Sequence, residues 1–193
     1  MTIKTYFLSE DKTVYLKAYM LDNVEGLPFC DKRPGILILP GGGYEYCSAR
    51  EGEPVAMHYL AEGYNAFVIS CNARHPAPLL NASYAILKLR QRCEEFGIDP
   101  NKLAVWGASA GGHLAACTAT MWQDPSIYKA LGCKPEDIRP DAAILSYPVI
   151  SGTTNPHRGS FDVLLGKDAT RDELSKLSIE NRVTPKTPPI FLW

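Results

Sequence analysis

The stretch Val105-Trp106-Gly107-Ala108-Ser109-Ala110-Gly111-Gly112-His113 decides how this chain is read. An apolar, β-prone run enters a Gly-x-Ser-x-Gly turn and leaves it as a helix of small residues. A serine hydroxyl is a poor nucleophile unless it is held exposed, close to a base and close to donors that can take up an oxyanion. A sharp strand-to-helix turn provides the exposure. Gly107 and Gly111 omit the side chains that would crowd it, and the new helix directs its N-terminal N–H groups at the same point. The five letters alone are a weak pattern, because a close-packed turn whose serine merely caps the helix shares them. Leu103–Trp106 before the turn and Gly111–Met121 after it supply the context that the motif requires, so Ser109 is the expected nucleophile.

Outward from this turn, apolar runs alternate with helical patterns, the signature of a mostly parallel sheet covered on both faces. Gly35–Leu39, Ala66–Ser70 and Ala142–Tyr147 read as buried strands beside Leu103–Trp106, and Ile190–Trp193 starts one more. Ile3–Ser9 and Val14–Met20 alternate and are joined by a short connection, which predicts an antiparallel pair at the sheet's edge. Helices are expected over Glu53–Ala61 and from about Leu79 to Phe96. In the second, Leu79, Ala82, Ile86, Leu89, Cys93 and Phe96 form one apolar stripe, and Gly97 stops it. Asp99-Pro100-Asn101 then turns the chain. Thr170-Arg171-Asp172-Glu173 is a capping box that opens a short helix near Leu174–Leu177. Gln123–Pro140 and Pro148–Asp168 read as irregular stretches after strand ends, where α/β proteins place their pockets.

A second signal lies upstream. Leu39-Pro40-Gly41-Gly42-Gly43-Tyr44 puts three glycines directly after a buried strand, giving a loop whose N–H groups can approach a ligand. Alone, such a loop could equally be a flexible turn or a phosphate cradle, but the G-x-G-x-x-G and G-K-[ST] patterns of the latter are missing. With Gly107–Gly111 downstream, it is the expected oxyanion hole, formed by Gly42, Gly43 and the N–H of Ala110. Tyr44, Tyr46 and Tyr147 would line a pocket there or serve as ordinary packing.

Together these segments resemble the α/β-hydrolase superfamily, in particular its esterase/lipase branch and acetyl-xylan-esterase-like members. The resemblance runs over essentially the whole chain. It rests on Pro40–Tyr44, Arg74-His75-Pro76-Ala77-Pro78-Leu79-Leu80, Gly107–His113, Ser146-Tyr147-Pro148-Val149 and Thr187–Trp193. Pro40 stands where many relatives have histidine before the glycines. The donors are backbone groups, so the replacement leaves the hole intact and shifts the likeness toward small acyl-sugar esterases. The resemblance implies an α/β-hydrolase fold over 1–193 as a single domain. It also implies a serine esterase acting on short-chain acyl esters, acetylated sugars among them, through an acyl-enzyme and without a cofactor. In the family the acid follows the strand beginning here at Ile190, and the histidine follows one strand later. The domain is therefore expected to be incomplete at its C-terminal end, lacking the last strand and helix. On that expectation the 193-residue chain is weakly active or inactive. An amidase or aryl-formamidase on the same fold, or a non-catalytic fragment, are the other readings.

The four histidines are the substitutes to weigh. His113 lies one turn into the helix after Ser109 and would point along it, as a structural element of the elbow. His75 precedes Pro76 in a loop, and His58 falls on a helix face. His157, with Asp162 near it, is the outside candidate, but it would reverse the usual acid-before-histidine order. No His-x-x-x-His or carboxylate cluster suggests a metal.

Composition is that of an ordinary globular domain: 193 residues, 46% hydrophobic, 21% charged. A formal net charge of -1 gives no reason to expect nucleic acid or an anionic membrane, and the partner that the resemblance implies is a small acyl ester. Met1–Tyr6 has no apolar h-region and no run is long enough to span a bilayer, which predicts a cytoplasmic protein. Cys30, Cys47, Cys71, Cys93, Cys117 and Cys133 show no Cys-x-x-Cys spacing and are expected to be mostly small buried residues. An open apolar edge at Ile190–Trp193 would favour homo-oligomers or strand exchange with a second copy.

Overall fold

A computed structural model describes residues 1–23, 32–70 and 74–193. The chain runs through β1 (Thr2–Phe7), β2 (Tyr15–Met20), β3 (Arg33–Leu39), α1 (Glu53–Ala61), β4 (Asn65–Ser70), α2 (Ala77–Gln91) and α3 (Cys93–Phe96). It continues through β5 (Ile98–Ala108), α4 (Ala110–Met121), α5 (Pro125–Tyr128), β6 (Ala142–Ser146), α6 (Arg158–Leu165), α7 (Arg171–Lys176) and β7 (Ile190–Leu192). The strands form one seven-stranded sheet in the order β1-β2-β4-β3-β5-β6-β7. β1 and β2 are antiparallel, as their alternation predicts, and every pairing from β4 to β7 is parallel.

Both faces of the sheet are covered, which is why its central strands are apolar without alternation. Leu37, Leu39, Phe67, Val105 and Leu145 point into the larger core, where α2 and α4 supply Leu79, Ile86, Leu89, Leu114 and Ala115. Ile36, Ile38, Ala66 and Trp106 point the other way, onto Ala56 and Leu60 of α1. The α4 helix is buried almost end to end, which its Gly, Ala and Cys content permits.

Three expectations about the elements themselves need correction. The helix drawn from Leu79 to Phe96 is two helices, interrupted at Arg92 (φ −117°, ψ 29°). The break turns Phe96 into edge-to-face contact with Tyr6 and Phe67. Asp99-Pro100-Asn101 does turn, with Asn101 N–H donating to the Asp99 carboxylate at 2.9 Å, but it turns inside a strand. The register jumps from Arg33↔Ile98 to Gly35↔Leu103, so β5 absorbs the turn as a bulge. The two irregular stretches hold α5, a 3₁₀ turn at Pro135–Ile138, and the eight-residue α6. Glycines and prolines around α6 hid its Phe161 and Leu164 anchors, both buried.

Of the cysteines, Cys117 is buried and Cys47, Cys93 and Cys133 are only half-buried, contrary to the expectation of general burial. Cys30 and Cys71 lie outside the described residues. Among the described residues no helix is long and apolar enough to cross a membrane.

Candidate active site

Ser109 sits between the end of β5 and the start of α4 at φ 52°, ψ −121°, a conformation that L side chains rarely adopt. Three backbone hydrogen bonds hold it there. Its N–H donates to the Ser146 carbonyl at 3.1 Å, and its own carbonyl accepts from His113 N–H at 3.0 Å and Val149 N–H at 3.1 Å. Strand end, helix start and the loop after β6 therefore meet on one residue. Such over-determination is what keeps a strained residue in place.

The glycines of the motif are there for space. A Cβ on Gly107 would run into the Gly111 carbonyl, and one on Gly111 would run into the carbonyls of Leu39 and Pro40. The elbow thus lies directly on the glycine loop. At Gly41 a Cβ would stand 2.6 Å from the Ala108 carbonyl and 3.1 Å from Cβ of Ser109. Gly42 and Gly43 have φ of 122° and 65°. The Gly42 carbonyl accepts from Glu45 and Tyr46 N–H, and the Gly41 carbonyl accepts from Ser48 N–H at 2.9 Å. The loop carbonyls are thereby turned into its own fold. The N–H groups of Gly42, Gly43 and Ala110 have no acceptor among the described residues.

Ser109 opens into a cavity of about 640 Å³ shared with Tyr147, Val149, Ser151, Asn155, His157 and Glu180. This volume lies within the usual range of small-molecule sites. The stretch after β6 therefore borders the serine, as expected. Asp124, Ser126 and Ile127, from the stretch after α4, line a separate cavity of about 390 Å³ with His75 and Leu177. Ser109 is not part of it. Tyr147 is exposed at the cavity wall, Tyr46 is exposed beside the loop, and Tyr44 is packed inward.

No described side chain hydrogen-bonds the Ser109 hydroxyl. His113 is completely buried and both its ring nitrogens are engaged, with Tyr44 and with the Leu177 carbonyl. Burial lowers its pKa to about 4. It braces the elbow and is neutral at neutral pH. His58 is exposed on α1. His75 is half-buried, and its pKa is lowered by desolvation. His157 does share the serine's cavity, but its Nδ1 accepts from Ser160 N–H at 3.3 Å and lies 2.9 Å from Ser160 Oγ. With Nδ1 accepting, Nε2 carries the proton and is a donor rather than a base. Asp162 is bound to Arg158 at 2.8 Å, so the sequence pairing of His157 with Asp162 does not form.

One residue of this site was missed in the sequence. Glu51, in a 3₁₀ turn at Ala49–Glu51, accepts from Gly41 N–H at 2.8 Å and from the Tyr147 hydroxyl at 2.9 Å. Nothing in its local pattern marks it, because its partners are 10 and 96 residues away. Among the described residues no group of three or more His, Cys, Asp or Glu side chains could hold a metal.

The chain is similar to several known proteins. Endo-1,4-beta-xylanase B of Butyrivibrio fibrisolvens is 39% identical over 171 residues, covering 84% of this chain and 26% of that protein. The acetylxylan esterase of Xylanibacter ruminicola is 28% identical over 193 residues, covering 96% of this chain and 36% of that one. The chain thus spans between a quarter and two-fifths of these relatives. An acetyl ester-xyloside bifunctional hydrolase from Caldicellulosiruptor lactoaceticus is 34% identical and superposes with a TM-score of 0.82 over 100% of this chain and 73% of that one. Residues 36–190 match the family described as alpha/beta hydrolase fold, and the chain belongs to that family.

Proposed function

We propose that this chain carries the nucleophile and oxyanion hole of a serine carboxylic-ester hydrolase. The observation that carries the reading is Ser109 held at φ 52° with the Gly41–Gly43 loop packed against it. Ser109 Oγ attacks the acyl carbonyl and gives up its proton to a base. The N–H groups of Gly42, Gly43 and Ala110 take up the oxyanion. Collapse of the tetrahedral intermediate expels the alcohol, its oxygen taking the proton back from the base, and water then releases the acid from the acyl-enzyme. The cavity is open and lined by Tyr147 and by polar groups such as Ser151, Asn155 and Glu180, which suits a short acyl group on a hydroxylated alcohol. The likeness to an acetylxylan esterase and to an acetyl ester-xyloside hydrolase supports acetylated sugars as the class. The scattered cysteines, without pair spacing, support a cytoplasmic setting.

The test is turnover of p-nitrophenyl acetate and of an acetylated xyloside by the wild type and by Ser109→Ala, with the corresponding anilide alongside. Where a base serves Ser109, loss of the nucleophile should lower ester turnover by at least about 10³-fold. Ester turnover that survives Ser109→Ala unchanged would remove the serine from the mechanism, and a preference for the anilide would make the protein an amidase.

A further inference from the structure

The glycine loop and the Ser109 cavity wall are joined through one carboxylate. Glu51 Oε2 accepts from Gly41 N–H at 2.8 Å, and its Oε1 accepts from the hydroxyl of Tyr147 at 2.9 Å. The point where a Gly41 Cβ would stand is 2.6 Å from Glu51 Oε2 and 3.1 Å from Cβ of Ser109, so all three groups crowd one spot. Tyr147 has φ 35°, outside the comfortable range of an L residue, and its N–H donates to the Trp193 carbonyl at 2.7 Å. Its ring stands more than half exposed in the cavity wall, in edge contact with Trp193.

We propose that Glu51 is a positioning residue that sets the shape of the glycine loop and the attitude of Tyr147 together. A carboxylate has two accepting oxygens, so one side chain can hold two donors at once. By drawing the Gly41 N–H to itself, Glu51 fixes the first peptide of the loop. The next two N–H groups, on Gly42 and Gly43, are left unengaged. The same carboxylate would repel an oxyanion if it faced one bare. Two donors, the Gly41 amide and the Tyr147 phenol, already occupy it. Through its second oxygen it holds the Tyr147 ring in the wall of the Ser109 cavity. The inference deepens the ester-hydrolase reading and rests on it for its kinetic part only.

The experiment compares Glu51→Ala, Glu51→Gln and Tyr147→Phe with the wild type, by amide exchange at Gly41 in NMR spectra and by kcat and KM for p-nitrophenyl acetate. A glutamine can still accept from Gly41 and can donate to the Tyr147 oxygen, whereas alanine does neither. Glu51→Ala should speed Gly41 exchange and lower kcat, each by about tenfold or more. Glu51→Gln should stay within about threefold of the wild type, and Tyr147→Phe should act on KM more than on kcat. If Glu51→Ala does not fold, the glutamine and phenylalanine variants carry the comparison. Unchanged Gly41 exchange in Glu51→Ala overturns the proposal. So does a Glu51→Gln variant as impaired as the alanine one, because the carboxylate's charge and not its geometry would then matter. Absence of any Ser109-dependent turnover in the wild type sinks the ester-hydrolase reading instead, and Gly41 exchange alone then decides the role of Glu51.

Discussion

The Tyr44 hydroxyl donates to Nδ1 of His113 at 2.6 Å, and Nε2 of the same ring lies 2.7 Å from the Leu177 carbonyl. A carbonyl only accepts, so Nε2 carries the proton and Nδ1 is the acceptor. One neutral ring thus bolts the glycine loop, through Tyr44, and the segment after α7, through Leu177, to the helix that follows Ser109. Phe161 of α6 packs edge-on against it, with ring centroids 5.3 Å apart.

This arrangement makes stability depend on pH. The His113 pKa falls from 6.5 to about 4 on folding, because burial penalises the charged form. Between those values the unfolded chain binds a proton that the native chain refuses, so stability is lost as pH falls through that window. Between pH 7.5 and pH 5 the expected loss from this ring is about 2 kcal/mol. His75, lowered by burial as well, adds in the same direction. Urea unfolding midpoints at the two pH values, with the His113 ring followed by NMR, check it. A ring that titrates near its ordinary value in the native state would refute the expectation.

The backbone of Ser109 supplies a second prediction. Its φ of 52° stores strain that glycine would not feel. Ser109→Gly should therefore be more stable than Ser109→Ala by about 1 kcal/mol, after allowing for the greater freedom of glycine in the unfolded chain. In melting temperature that is about 2–4 °C for a chain of this size. Neither variant has the hydroxyl, so the comparison isolates the backbone. An alanine variant that is the more stable would mean the elbow is relaxed.

What the sequence disclosed follows from the range of the forces involved. The Ser109 elbow, the α1 helix at Glu53–Ala61 and the Thr170 capping box are written in neighbouring residues. The box forms as read, with Glu173 N–H donating to Thr170 Oγ1 at 3.3 Å and the Glu173 carboxylate accepting from Thr170 N–H at 2.8 Å. Buried strands were equally legible, because residues covered on both faces leave an unbroken apolar run. Glu51 and the Tyr44–His113–Leu177 chain were not, since each joins residues far apart in sequence. The α6 helix was obscured for another reason. Its stripe is short, and Gly159 and Gly166 read as loop punctuation. The Asp99–Asn101 turn was seen, but a turn absorbed inside a strand looks no different from one that ends it.

Packing at the elbow separates two kinds of glycine. Gly63 has φ 87° with nothing within 4 Å of a would-be Cβ, so Gly63→Ala meets only backbone strain, about 1 kcal/mol. A Cβ on Gly111 meets the backbone carbonyls of Leu39 and Pro40, which cannot rotate aside. Gly111→Ala should cost about 3 kcal/mol or prevent folding, by forcing the β3 end and its glycine loop away from α4. Urea unfolding of the two variants side by side is the measurement. A Gly63 variant that proves the more damaging would show that loop and elbow are not in close contact.

The far end of the sheet makes the last prediction. β7 pairs with β6 through Ala143↔Ile190, Ile144↔Phe191 and Leu145↔Leu192, and it has no further strand beyond it among the described residues. Ile190 packs into the larger core, but Phe191, Leu192 and Trp193 are 63%, 60% and 75% exposed. On the other face Phe191 continues a row in which Ile38, Trp106 and Ile144 stand side by side on successive strands. Unpaired backbone groups beside exposed apolar side chains form a template for another strand. The 193-residue chain should therefore associate as its concentration rises. A Phe191→Lys, Leu192→Glu double variant should weaken that association, since charges on an edge discourage pairing. Sedimentation velocity over a range of concentrations reads both. A wild-type chain that stays monomeric at high concentration would mean that the β7 edge is not open to pairing.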